Sequence, residues 1–409
     1  MVRAIQEAYR QAFSGLPRTV WLVALVSFIN RTGTMVLPFL ALYLTEKHGF
    51  SAAAAGRAMG LYGLGSMAGA FAGGWLCDRL TPRRVMALSL LGQGAGFLVL
   101  GLLRTRPGIL GMIFALSVVG EAFRPATAAA LVRGSLPGEQ GRAFALNRLA
   151  VNLGLTFGPA AGGFLATVSY FWLFVADGGT CVLAALFLLA AFRGEGSLPA
   201  QPAGEPGPGR SPWRDPAFLA LLSLLTLLGM VLFQIFSAYP LALHARYGFS
   251  EARIGLVLAI NTLVISLFEM VLVHRLRDLD PLRVAGVGSL LFCAGFAMLP
   301  LGSSFAFVAA TVLVWTVGEM LSLPFISGWI GSRASGENLG GYMGLFTLSF
   351  SAALVLGPPA GAWIYQRLGM NVLWYGCGLV GVLLCAGFLA LSSALRQRAG
   401  TAVPAGEIR

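Results

Sequence analysis

Gly49-Phe50-Ser51-Ala52-Ala53-Ala54-Ala55-Gly56 returns 199 positions later as Gly248-Phe249-Ser250-Glu251-Ala252-Arg253-Ile254-Gly255. The same offset links Arg84-Val85 to Arg283-Val284, Pro125 to Pro324, Gly158-Pro159 to Gly357-Pro358, and Gly162 to Gly361. Gly120-Glu121 and Gly318-Glu319 are paired at an offset of 198. An offset held across so many segments marks two copies of one unit.

The sequence between the matched residues is apolar. Of 409 residues, 57% are hydrophobic and 11% are charged, with a mean hydropathy of +0.79. Soluble domains carry about 25% charged residues, so most of this surface faces something other than water. About 20 apolar residues suffice for a helix to cross a bilayer. On that measure twelve spans are expected, near 19–45, 53–77, 84–103, 108–132, 142–167, 170–192, 217–243, 252–273, 283–302, 305–331, 340–366 and 371–394.

The expected fold is therefore an all-α membrane protein of twelve transmembrane helices in two six-helix bundles. The bundles cover 1–193 and 216–409, and the Pro-, Gly- and Ser-rich stretch 194–215 reads as a flexible linker. Six spans per copy make both copies enter the membrane in the same direction, which implies a pseudo-twofold axis along the membrane normal.

Glycine is abundant, with 54 residues, many inside apolar runs. Gly65, Gly69 and Gly73 recur every four residues and so share one helix face, as expected where small residues let membrane helices approach closely. The five cysteines (Cys77, Cys181, Cys293, Cys377 and Cys385) fall inside or at the ends of apolar segments. None has metal-ligand spacing, and they read as small apolar fillers.

A formal charge of +12 raises the question of nucleic acid. The basic residues, one lysine (Lys47) and otherwise arginines, are spread over many short loops rather than clustered on a soluble face. They read as topology signals. With both termini inside, eighteen basic residues fall on the inner side, among them Arg3, Arg18, Arg79, Arg133, Arg283 and Arg396. Seven fall outside: Lys47, Arg57, Arg104, Arg106, Arg246, Arg253 and Arg367. The positive-inside rule then places the termini and the linker in the cytoplasm. No cleavable signal is evident, and the stretch from Arg3 to Gly15 reads as a short interfacial helix.

After the second span comes Gly74-Trp75-Leu76-Cys77-Asp78-Arg79-Leu80-Thr81-Pro82-Arg83-Arg84-Val85. This resembles the signature loop of the major facilitator superfamily, a Gly-x-Leu-x-Asp-Arg core followed by basic residues. Thr81 stands where the family usually has glycine, and Pro82 where it has a basic residue. The resemblance implies conformational gating by Gly74, Asp78, Arg79, Arg83 and Arg84, with Asp78 capping a helix end and the arginines pairing with carboxylates and helix termini.

The fifth span carries Gly154-Leu155-Thr156-Phe157-Gly158-Pro159-Ala160-Ala161-Gly162-Gly163. It is similar to the Gly-x3-Gly-Pro-x2-Gly-Gly pattern of the drug/proton antiporter branch of that superfamily. An interior proline kinks a helix, here with Gly154, Gly158, Gly162 and Gly163 beside it. Only part returns in the second half, as Gly357-Pro358-Pro359-Ala360-Gly361. The resemblance covers essentially the whole chain and implies a bacterial inner-membrane protein. One departure is Leu116, where drug antiporters of this branch carry a basic residue; Arg124 lies further along the same span.

Charges inside spans cost at least about 2.5 to 3.5 kcal/mol each on insertion scales, so each needs a reason. Arg31, Glu121 and Glu319 fall near the midplane, and Glu121 and Arg124, three residues apart, share a helix face. In one reading a carboxylate alternately takes a proton and a cationic substrate or an arginine. In the other, Glu121 with Arg124 or Arg31 is a neutralised pair that fixes helix register. Asp177 and Glu269 are further candidates, as proton relays or as partners for a nearby loop, and Asn30 and Gln234 are candidates for lining a cavity or for joining helix to helix by hydrogen bonds.

No phosphate-binding loop accompanies Lys47, no metalloprotease pattern links His48, His244 and His274, and no extramembrane domain is large enough for soluble chemistry. The expected function is secondary active transport by alternating access, with no catalytic residues, cofactor or metal. The expected partners are protons, a small-molecule substrate and the bilayer, with no nucleic acid, and the chain is expected as a monomer. Proton-coupled export of hydrophobic or cationic molecules is the first expectation. Uptake of a peptide or sugar and lipid translocation stand beside it, because direction is not written in a fold.

Overall fold

The structure, a computed structural model, describes residues 14–136, 139–192, 212–333 and 339–401. The expected interfacial stretch, apart from Ser14 and Gly15, and the expected linker, apart from residues 212–215, lie outside the described residues. The chain is 89% helical, and no strand occurs among the described residues. That is the solution lipid demands of a non-barrel protein, since a helix satisfies its backbone polar groups internally.

The helices are α1 (Arg18–Thr32), α2 (Val36–His48), α3 (Ala52–Arg79), α4 (Pro82–Leu102), α5 (Arg106–Glu121), α6 (Phe123–Gly134), α7 (Gln140–Val168) and α8 (Tyr170–Ala191). They continue as α9 (Pro216–Leu232), α10 (Ala238–Ala245), α11 (Glu251–Leu276), α12 (Pro281–Ala297), α13 (Phe305–Arg333), α14 (Leu339–Arg367) and α15 (Met370–Thr401). Among the described residues, 11 helical segments are long and apolar enough to cross a membrane. The remaining expected span is α3, 28 residues long, in which Gly56, Gly60, Gly63, Gly65, Gly69, Gly73 and Gly74 dilute the hydropathy.

Three expected spans are each built from two helices. The first breaks between α1 and α2 at Gly33–Met35, the fourth at Ala122 between α5 and α6, and the seventh at a 3-10 turn, Phe233–Phe236, between α9 and α10. None of these breaks has a proline at its centre. Large apolar side chains such as Phe71, Val168 and Leu379 remain well exposed; scattered over so many helices, they suit lipid rather than water.

The contacts resolve two compact units: Met1–Pro202 with Ile235–Ser266, and Ala203–Gln234 with Leu267–Arg409. In the first, α1 packs on α7 and α8, α4 on α8, and α3 on α5. Val20, Val26, Met86, Leu90, Ala126 and Ala184 form a solvent-free core there. In the second unit, α12 packs on α13 and α15, and α9 on α14.

The duplication seen in sequence is visible in the packing within each unit. A Cβ on Gly158 would meet the Arg31 carbonyl, and one on Gly162 the Met35 side chain at 2.9 Å. In the second unit a Cβ on Gly357 would meet the Met230 backbone at 2.8 Å, and one on Gly361 would meet Gln234. Met230 lies 199 positions after Arg31, and Gln234 199 after Met35. Both copies also share a turn after a helix. Gly49 and Gly248 take φ of 62° and 64°, and the following amides of Phe50 and Phe249 close on Leu44 and Leu243 carbonyls at 3.0 and 3.1 Å. Such a left-handed residue suits glycine, and the bond back across six positions satisfies a carbonyl the helix would leave open. Thr81 and Asp280 are likewise equivalent N-caps, each followed by proline at the first helical position.

Candidate functional site

The break in the first span exists because another helix satisfies it. Asp177 of α8, 3% exposed, accepts the Met35 and Val36 amides on one oxygen at 3.2 and 3.0 Å. The Val36 amide opens α2 and would otherwise lack a partner, the Met35 amide also donates to the Gly33 carbonyl at 2.6 Å, and a carboxylate is favoured at a helix N-terminus. Gly33 lies so close to Thr180 that any side chain there would strike its hydroxyl, and that hydroxyl donates back to the Asp177 carbonyl at 2.8 Å. Just before the break, Asn30 is buried and its Nδ2 donates to Cys181 Sγ at 3.6 Å.

The break in the fourth span also sits at a charge. Glu121 is the last residue of α5, and its carboxylate faces Arg124 of α6 at 3.5 Å. The Glu121 side chain is 19% exposed and that of Arg124 57%, so the carboxylate is sheltered while its partner reaches a more open space. Tyr62 of α3 lies within electrostatic range of Glu121, Arg31, Asp177 and Arg124 together. Four of the charged residues singled out in sequence thus act electrostatically on one tyrosine in the first unit. Tyr62 itself carried no sequence signal, because a lone tyrosine in an apolar run reads as packing. Gln93, whose Oε1 receives Cys181 Sγ at 3.8 Å and which packs on Gly120, was also missed.

Other candidates stand apart. Glu269 and Glu319 belong to the second unit and are half-buried. Gln234, also in that unit, donates to the carbonyls of Met230 at 2.9 Å and Gly357 at 2.7 Å, which pins α9 to α14. That bond places Gln234 in helix–helix packing at the second copy's kink motif.

In the signature loop, Arg83 donates to the Phe192 and Leu189 carbonyls at 2.6 and 3.1 Å, closing the C-terminal end of α8. A cation there satisfies open carbonyls and suits the helix dipole. Arg79 stacks on Trp75, with 4.0 Å from guanidinium carbon to ring centroid. The Arg84 amide bonds the Thr81 hydroxyl at 3.4 Å, so Thr81 supplies the N-cap of α4. Gly74 has open space where a side chain would be. The Asp78 side chain lies outside the described residues.

The kink motif is a contact surface. Gly154, Gly158 and Gly162 face α1 and the break that follows it; a Cβ on Gly154 would meet Arg31 Cβ at 2.7 Å and one on Gly158 the Thr34 carbonyl at 2.9 Å. Pro159 lies inside α7, and its carbonyl, with Gly163, bears on Gly255 and the Glu251 backbone of α11. One glycine-rich face therefore positions Arg31, while the next turn meets another helix.

The family model described as Major Facilitator Superfamily matches residues 20–338 and, in a second alignment, 235–407. Two MFS-type transporters of Bacillus subtilis (strain 168) are similar: YhjO, 25% identical over 87% of this chain and 88% of its own, and YqjV, 24% identical over 92% and 93%. The multidrug resistance protein MdtH of Yersinia pestis (strain Pestoides F) is 26% identical over 86% of this chain and 89% of its own. Among solved structures, a POT family transporter in complex with 5-aminolevulinic acid has a TM-score of 0.77 at 17% identity, covering 93% of this chain and 97% of that one. A mutant of the nucleoside transporter NupG has a TM-score of 0.74 at 13% identity, covering 91% and 100%. At such identities the structural likeness speaks for the fold alone. The family match spans nearly the whole chain, and this multi-pass membrane protein belongs to the Major Facilitator Superfamily of membrane transporters.

Proposed function

We propose that the chain is a secondary active transporter that exports hydrophobic or cationic small molecules in exchange for protons, by alternating access. The observation that carries this reading is the sheltered Glu121 carboxylate held by Arg124 at 3.5 Å. An ionised carboxylate inside a membrane span is costly unless paired. Glu121 therefore gives up Arg124 only for a proton or a cationic substrate, and alternation between those two is antiport. The likeness to proteins named multidrug resistance protein supports export.

In this reading the chain lies in a bacterial cytoplasmic membrane with both termini inside and works as a monomer, and Glu319 and Glu269 serve as secondary proton sites. The Arg83 clamp on α8 holds the signature loop in one conformation. Everted membrane vesicles containing the protein test the direction. On energisation they are expected to accumulate a cationic dye, and a protonophore should abolish the uptake. Dye movement that persists without a proton gradient would rule out the exchange, and proton-driven movement of peptides or sugars alone would put nutrient uptake in its place.

A further inference from the structure

At the end of the first unit, the last turn of α2, the start of α8 and the α10–α11 turn bring together Glu46, Tyr170, His244 and Glu251. Glu46 Oε1 lies 3.0 Å from His244 Nε2. The hydroxyl of Tyr170, 4% exposed, donates to Glu46 Oε2 at 3.0 Å and Glu251 Oε1 at 3.1 Å. One ligand atom from each of Glu46, His244 and Glu251 lies within 4.8 Å of the others. Behind the imidazole, Nδ1 faces the Phe249 carbonyl at 3.1 Å.

Counting protons shows what this arrangement lacks. The Phe249 carbonyl only accepts, so Nδ1 carries a hydrogen and a neutral His244 turns its Nε2 lone pair toward Glu46. That sets acceptor against acceptor at 3.0 Å. Tyr170 has one hydroxyl proton for two carboxylate oxygens. Both facts call for one more positive charge among the three ligand atoms.

The duplication does not explain these side chains. Their equivalents 199 positions away are Ala245 for Glu46, Gly369 for Tyr170, Thr45 for His244 and Ala52 for Glu251. The copies share the Gly49 and Gly248 turns but not the chemistry placed around them.

We propose that Glu46, His244 and Glu251 bind a divalent transition-metal cation of the zinc class, which ties α2 to the α10–α11 turn. One imidazole nitrogen with two carboxylates is a donor set for such ions, whereas magnesium and calcium prefer oxygen throughout. A backbone carbonyl on Nδ1 is the outer-shell arrangement that fixes the tautomer of a metal-bound histidine. With bonds of about 2.0 to 2.2 Å in a tetrahedron, ligand atoms around one zinc lie roughly 3.3 to 3.6 Å apart. The exposed Glu46 supplies the inward movement, on the order of an ångström, that this needs. The site is independent of which substrate the transporter carries.

The test uses the full-length protein in detergent, stripped with a chelator and titrated with zinc chloride by equilibrium dialysis. Zinc is expected to bind and to raise the melting temperature, with magnesium and calcium inactive at the same concentration. His244→Gln should abolish binding, Glu46→Gln and Glu251→Gln should weaken it at least about tenfold, and His274→Gln should leave it unchanged. In the unsubstituted protein zinc should protect His244 from diethylpyrocarbonate, which checks the ligand without a variant that must fold. Zinc affinity unaltered by His244→Gln, equal binding of magnesium, or no protection of His244 would each overturn the proposal. Absence of zinc binding by the native protein would also overturn it and leave a proton to balance the cluster.

Discussion

Asp177 accepts the amide of Val36, the first residue of α2, at 3.0 Å, and the same oxygen holds the Met35 amide at 3.2 Å. A carboxylate on one helix therefore maintains the interruption of another, 141 residues away in sequence. Asp177→Ala leaves the Val36 amide unpaired and the Met35 amide with the Gly33 carbonyl alone, and is expected to cost about 1 to 3 kcal/mol. Asp177→Asn keeps an acceptor and should cost less. Thermal unfolding in detergent checks this; equal melting of the alanine variant and the parent protein would mean that packing alone holds the break.

Close approach of α7 to α1 depends on the absence of side chains at Gly154 and Gly158. Gly154→Val forces atoms onto Arg31 Cβ, the Phe28 carbonyl and the Thr32 amide nitrogen. Overpacking of this kind costs roughly 1 to 3 kcal/mol and shifts backbones. Because Arg31 lies on that contact, transport should fall further than stability. Gly74→Ala meets open space and is expected to leave the melting temperature within experimental error. A series of melting curves with matched transport rates separates these cases.

Asp215 caps α9 and takes bonds from Arg333, one at 2.9 Å, from the Phe218 amide at 3.2 Å and from the Tyr342 hydroxyl at 3.0 Å. Burial alone would raise this carboxyl, but the Arg333, Phe218 and Tyr342 bonds outweigh it and hold it below the usual carboxylate range. A depressed carboxylate contributes stability in full above its unfolded value of about 3.9 and loses it as pH falls through the folded value. Asp215→Asn should therefore destabilise the protein by roughly 2 kcal/mol at pH 7. Below pH 3 the gap between variant and parent should narrow. Melting curves across that range check the sign; a gap that widened in acid would contradict it.

Much of the architecture was legible because membrane spans and gene duplication leave long-range marks. The 199-residue offset in sequence reappears as matched packing of Gly158 on Arg31 and Gly357 on Met230. The breaks at Gly33–Met35 and Ala122 were not legible. Hydropathy averages over a whole span, and Asp177, whose carboxylate stabilises the first break, lies on a distant helix. Sequence singled out Glu121, Arg124, Arg31 and Asp177 as charges within spans, but it could not show that Asp177 would bond the Met35 and Val36 amides. The cluster of Glu46, Tyr170, His244 and Glu251 draws on four separate stretches of chain, and no local spacing announces it.

Glu121 is the residue on which the transport reading turns. The most direct measurement is substrate-driven proton movement in proteoliposomes loaded with a pH-sensitive dye, comparing the parent protein with Glu121→Gln and Glu319→Gln. The expected result is proton flux on addition of a cationic substrate, lost in Glu121→Gln, which should also bind that substrate more weakly while melting at the parent's temperature. Proton flux equal to that of the parent in Glu121→Gln would contradict the account, and loss confined to Glu319→Gln would move the proton to the second unit.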